Sequence, residues 1–67
     1  MKNKIEEMRK QHGITQDELA TQMKVSRQTI GSLENGRYNP SVILAYKLSV
    51  FFKISIEELF VFEEELL

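Results

Sequence analysis

Cysteine is absent from this chain, and so is any long apolar run. Without cysteine there is no disulfide framework, no thiolate nucleophile and no thiolate metal ligand, a composition that fits a reducing cytoplasm. No stretch approaches the roughly 20 apolar residues of a membrane span, and the opening MKNKIEEMRK lacks the apolar centre of a signal peptide. A soluble cytoplasmic protein that does not enter the membrane is expected. Histidine occurs once, as His12 beside Gly13, where it suits a helix C-terminal cation better than a general base. The carboxylate clusters Glu57-Glu58 and Glu63-Glu64-Glu65 consist of adjacent residues, which point in different directions on a helix and read as a cap or a solvated face. There is no phosphate-binding loop and no metal-ligand spacing. The expectation is therefore no enzyme, no metal, no cofactor and no small-molecule ligand. The 67 residues, 42% of them hydrophobic, suit one domain with one core and leave no room for a second.

What charge there is lies unevenly. The formal net charge is −1, yet residues 1–40 hold seven Lys or Arg against five acids, while residues 41–67 hold two against five. A mildly basic first part and an acidic last part point weakly to an anionic partner for the former.

Helix punctuation divides the chain into five short helices, expected at 3–12, 15–23, 26–35, 41–52 and 55–60 or beyond. Thr15 with Glu18, and Ser55 with Glu58, form S/T-x-x-E capping boxes, in which hydroxyl and carboxylate each satisfy an unpaired helix N–H. Ile14 with Leu19, and Ile54 with Leu59, supply the matching hydrophobic staples. Ser26 and Ser41 are further starts and Asn3 a fifth, while Gly13 and Gly36 stand where the first and third helices should stop. No alternating strand pattern competes before the tail. Helical spacing selects Ile5, Met8, Leu19, Ala20, Met23, Ile30, Leu33, Leu44, Ala45, Leu48, Phe52, Leu59 and Phe60 as inward, with Ile14, Val25 and Ile54 closing the helix starts.

The third of these helices has little to bury. In VSRQTIGSLENGRYNPS only Ile30 and Leu33 share an apolar side; Arg27, Gln28, Gly31 and Ser32 lie on another, continued by Asn35. That second face carries no carboxylate. It offers a guanidinium fork, an amide and a small hydroxyl, which are groups that hydrogen-bond guanine, adenine and several base edges in a major groove, and Gly31 permits close approach. The preceding helix ends at Lys24, only two residues before this one begins, and small Ala20 sits where two steeply crossing helices nearly touch. Such a pair is the pattern of a helix-turn-helix unit, whose second helix enters the groove.

The stretch TQDELATQMKVSRQTIGSLENGRYNPS resembles the Cro/C1-type (XRE) helix-turn-helix transcription regulators, and the likeness continues through LAYKLSVFFKISIEELF. The motifs Q-x-E-L-A, V-S-x-x-T-I, L-E-N-G and N-P-S occur in order and at family spacing. The resemblance implies an all-α, five-helix, lambda-repressor-like domain that binds double-stranded DNA at a pseudo-palindromic operator, as a regulator and more specifically a repressor. It implies base contacts for Arg27, Gln28, Thr29 and Ser32. For Gln16, Asn35 and Arg37 it implies backbone contacts; Lys24, Tyr38 and Asn39 are further candidates for that role, although turn formation explains Asn39-Pro40 equally well. It pairs Arg9 with Glu34 as a structural ion pair. Two residues depart from the pattern: Lys24 and Lys53 stand where glycine or asparagine is usual, so a Cβ-bearing residue is expected at positive φ in both places.

The tail raises a last expectation. Phe51 and Phe52 are adjacent and hardly both face one small core, and Val61, Phe62, Leu66 and Leu67 are apolar beyond the family pattern. Together with Phe60, which is read also as the last inward residue, Phe51, Val61, Phe62, Leu66 and Leu67 are expected to form a homodimer surface, with 61–67 as a dimerisation tail that is either a strand or a helix extension. The rival reading is a protein-binding helical module, such as an antitoxin-like partner subunit, for which FVFEEELL is the docking segment.

Overall fold

The computed structural model describes residues 1–62, which form five helices: α1 Ile5–Gln11, α2 Gln16–Met23, α3 Arg27–Glu34, α4 Val42–Phe52 and α5 Ile56–Leu59. Leu66 and Leu67, and the acids at 63–65, lie outside the described residues.

Four helix starts are local chemistry. Both capping boxes form, at Thr15 with Glu18 and at Ser55 with Glu58. The Ser26 hydroxyl accepts from the Thr29 N–H and that of Ser41 from the Leu44 N–H, each at 3.1 Å. Four helix ends share one device as well. Gly13, Lys24, Gly36 and Lys53 all adopt the left-handed conformation, with φ of 67°, 60°, 79° and 59°. Each lets two N–H groups fold back onto the last carbonyls, as when Gly36 donates to Leu33 O at 3.1 Å and Arg37 to Ser32 O at 3.0 Å. The two lysines therefore carry the positive φ that their sequence positions implied. At Gly36 there is a second constraint: a Cβ would stand 3.2 Å from the Met1 carbonyl oxygen.

The fifth start differs from expectation. α1 begins at Ile5 after Lys4, with no side-chain cap on Lys4. Asn3 is instead extended, in an antiparallel bridge with Phe60, flanked by hydrogen bonds from Lys4 N to Leu59 O (2.8 Å) and from Val61 N to Lys2 O (2.9 Å). The same pairing ends α5 at Leu59 and turns Phe60 out of the helix into extended backbone. Val61 and Phe62, the described start of the tail, belong to neither a helix nor a strand.

Every expected core residue but one is buried: Ile5, Leu19, Ala20, Met23, Ile30, Leu33, Leu44, Ala45, Leu48, Phe52, Leu59 and Phe60. Met8 is half-buried against this cluster, with Ile14, Val25 and Ile54. Phe60, 2% exposed, corrects its assignment to a dimer surface, because the bridge to Asn3 directs its ring into the core of its own chain. Phe51 is half-buried: it packs edge-on against Phe52, ring centroids 5.2 Å apart, so the small core takes Phe52 whole and Phe51 in part. Among the described residues the most exposed large apolar side chains lie along α4, at Val42, Ile43, Tyr46 and Val50. Among the described residues Ser49 is the buried polar one, its hydroxyl donating to Tyr46 O at 2.8 Å.

Candidate nucleic-acid interface

α2 and α3 pack on each other across a turn of three residues, Lys24 to Ser26, in which Val25 donates back to Ala20 O at 3.0 Å. Buried Ile30 and Leu33 fix α3 by its inner side, and its opposite face is left to solvent. Arg27 and Gln28 are exposed at its first turn, and Thr29 and Ser32 are half-exposed. One concave surface gathers Gln16 from α2, Arg27, Gln28, Gly31, Ser32 and Glu34 from α3, Asn35 and Arg37 beyond it, and Glu6 from α1. A second, alongside, joins Ser26, Gln28, Thr29 and Ser32 to Tyr38. The expected base-reading and backbone-contacting groups are therefore neighbours across α2, α3 and the following loop. Lys24 is exposed at the end of α2, just ahead of α3, and Asn39 is exposed in the loop before Pro40.

The hydrogen bonds of these groups determine what each still offers. The Asn35 Oδ1 accepts from the Arg37 N–H at 3.1 Å, which leaves its amide N–H₂ as the donor it can still offer. The Thr29 hydroxyl lies 2.9 Å from Ser26 Oγ and is thus engaged within its own helix start. Arg27 Nε stands 3.9 Å from Asp17 Oδ1 with both side chains largely in water, a loose pairing that an incoming phosphate or base readily replaces.

Behind this surface lies a network centred on Glu34. Arg9 Nε donates to Glu34 Oε2 at 2.7 Å, its Nη2 to Oε1 at 3.3 Å, and its Nη1 to the Ile14 carbonyl at 3.0 Å. The Glu34 side chain is 5% exposed and that of Arg9 12%. The hydrogen bond that Arg9 donates to Glu34 raises the guanidinium pKa above its ordinary value. A third member was not legible in the sequence: Gln16 Nε2 donates to Glu34 Oε1 at 2.9 Å. One amide proton of Gln16 is spent on Glu34, and the amide has a second to donate.

Two more supporting groups were missed. Lys47 Nζ, on α4, donates to the Met23 carbonyl at 2.7 Å and so closes the end of α2. Glu6 is a carboxylate on the concave surface, although α3's own outer face has none. It pairs with Lys10 at 3.0 Å, and the hydrogen bond from Lys10 holds its carboxyl below the usual carboxylate range. Among the described residues no group of His, Asp and Glu side chains is arranged to hold a metal ion, and no helix is long and apolar enough to cross a membrane.

Two helices joined by a tight turn, the second buried on one side and polar on the other, define a helix-turn-helix DNA-binding protein. A model of the helix-turn-helix family matches residues 5–59, and the chain belongs to that family. It is 46% identical over 65 residues to an uncharacterized HTH-type transcriptional regulator of Methanocaldococcus jannaschii, covering 97% of this chain and 98% of the relative. A second such regulator, of Archaeoglobus fulgidus, is 49% identical over 65 residues, covering 97% of this chain and 93% of its own. Among solved structures, the restriction-modification controller protein C.AhdI from Aeromonas hydrophila superposes with a TM-score of 0.74 at 32% identity, covering 84% of this chain and 85% of that one. The chain is a DNA-binding transcription regulator with an all-α helix-turn-helix fold.

Proposed function

We propose that this regulator acts in the cytoplasm as a repressor, binding a pseudo-palindromic operator as a homodimer with α3 in the major groove, and that it has no enzymatic activity. Arg27, Gln28, Thr29 and Ser32 read base edges, while Gln16, Lys24, Asn35, Arg37, Tyr38 and Asn39 hold the backbone. The single observation that carries the reading is the carboxylate-free outer face of α3, exposed at Arg27 and Gln28 and backed by the buried Glu34 network. Repression follows from occupancy, since a domain seated in the groove excludes other proteins from the same duplex. Half-buried Phe51, Val61 and Phe62 are the described part of the dimer surface. A two-fold assembly places two recognition helices about 34 Å apart, one helical turn of DNA.

The exposed apolar residues of α4, Val42, Ile43, Tyr46 and Val50, favour a second reading, a protein-binding helical module. Affinity for duplex DNA as a function of salt separates the two, because phosphate contacts give a steep slope. A site selected by the protein from randomised duplexes then supplies the specific test. Arg27→Ala is expected to weaken that site by about 1–3 kcal/mol and to relax preference at one base pair. Unchanged binding to both selected and random duplexes would remove Arg27 from the base-reading set.

A further inference from the structure

We propose that Asn3 is a positioning residue for DNA binding: it holds the C-terminal end of the recognition helix, and with it the segment from Asn35 to Arg37, against the paired segments at residues 2–4 and 59–61. The proposal rests on the DNA-binding reading and assigns a role to a residue outside the interface itself.

The amide of Asn3 is fixed at both ends. Its Oδ1 accepts from the Ile5 N–H at 3.0 Å, and its Nδ2 donates to the Leu33 carbonyl at 2.7 Å across 30 residues of sequence. The Asn3 backbone is held in turn by the bridge to Phe60 and by the two flanking hydrogen bonds, and Leu59 and Phe60 are anchored in the core. The Leu33 carbonyl already receives the Gly36 N–H, so it needs no further donor to be satisfied. What Asn3 adds is direction. The carbonyl it grips is one of the two that shape the turn after α3, and that turn sets where the Asn35 amide and the Arg37 guanidinium point. The Met1 nitrogen donates to the Gly36 carbonyl at 3.1 Å, a second tie from the same segment to the same turn.

This role has a chemical requirement that a helix cap lacks. Gripping Leu33 O needs a donor, whereas accepting from Ile5 N needs an acceptor, and only an amide of this length supplies both. An ionised aspartate keeps the acceptor and suits the first turn of α1, but it brings a carboxylate oxygen up to the Leu33 carbonyl. Asn3→Asp therefore separates the two roles.

The test compares wild type, Asn3→Asp and Asn3→Ala on a duplex selected from a randomised pool, with thermal unfolding and phosphate-ethylation interference on each. The expected result is a loss of about three- to tenfold in affinity for both variants, the scale of one neutral hydrogen bond, concentrated at the phosphates nearest Asn35 and Arg37. Asn3→Asp binding as wild type, with an unchanged interference pattern, would overturn the proposal and leave Asn3 a cap of α1. A measurement on wild type covers the case of variants that fail to fold. A through-hydrogen-bond scalar coupling between Asn3 Nδ2 and the Leu33 carbonyl carbon is expected both free and DNA-bound, and its absence from the bound protein would equally overturn the positioning role. A wild-type chain that bound no duplex, with the coupling present in the free protein, would instead count against the DNA-binding reading.

Discussion

Replacing Glu34 by Gln changes one oxygen for an amide nitrogen at the centre of three donors. Arg9 Nε and Gln16 Nε2 both approach within 3 Å, and Arg9 Nη2 at 3.3 Å. A carboxylate accepts all three; a glutamine accepts on one atom only and turns its N–H₂ toward a guanidinium or an amide that also donates. The Arg9 charge is left with 12% of its side chain exposed and without its hydrogen-bonded carboxylate, Glu6 acting on it only through space. Breaking a buried ion pair costs about 3–5 kcal/mol, and the shallow position of this one argues for about 3. A domain of this size has roughly 3–10 kcal/mol in total. The substitution is thus expected to remove a large part of the stability and to lower the melting temperature by about 12–24 °C. Urea and thermal unfolding followed by far-ultraviolet circular dichroism measure both quantities. The paired substitution Arg9→Met with Glu34→Leu is the decisive companion, because apolar residues of similar volume leave no charge stranded and recover most of the loss. A Glu34→Gln protein within about 1 kcal/mol of wild type would refute the argument, as would a double variant that loses the sum of the two single losses.

Lys53→Gly relieves a left-handed residue at the end of α4 and is expected to stabilise the domain by about 1 kcal/mol, seen as a rise in melting temperature of about 4–8 °C. Lys24→Gly should stabilise similarly while reducing the salt slope of DNA binding by about one, and an unchanged slope would place Lys24 away from the phosphates. Phe62→Asp is expected to shift sedimentation at micromolar concentration toward the monomer and to weaken a full site more than a half-site. A wild type that sediments as a monomer and binds one half-site as tightly as two would discard the dimer.

Where the sequence could be read, the information was local. A serine or threonine with its partner three residues on determines a helix start within one turn, and a residue at positive φ determines its end, so the four boundaries from Thr15 to Ser55 need nothing distant. α3 was legible for a related reason: two apolar residues on an otherwise polar helix leave one way to seat it. Asn3 looked like a cap because its side chain does accept from Ile5, but its backbone conformation is imposed by Phe60, nearly the whole described chain away. Gln16 carries no mark in sequence that its amide meets Glu34. α4 is apolar all round except for Lys47 and Ser49, so no polar face orients it, and the exposed apolar side chains Val42, Ile43, Tyr46 and Val50 along it carry no mark in sequence that sets them apart from its buried ones. The family resemblance supplied the Arg9–Glu34 pair, which spacing alone does not reveal.

The bridge between Asn3 and Phe60 also bears on the order in which the chain assembles. Contacts within α2 and α3 close short loops, whereas joining residues 2–4 to residues 59–61 closes almost the longest loop among the described residues, at a greater cost in chain entropy for each backbone bond formed. Such a latch is expected to form after the helix-turn-helix unit and to be the first part to open in the native ensemble. Its opening releases the Leu33 carbonyl before any core side chain of α2 or α3 has to leave its place. Amide exchange at Lys4 and Val61 would then run ahead of exchange at Ile30 and Leu33, giving the molecule a folded but unlatched state, in which α3 keeps its helix while the turn that follows it moves freely.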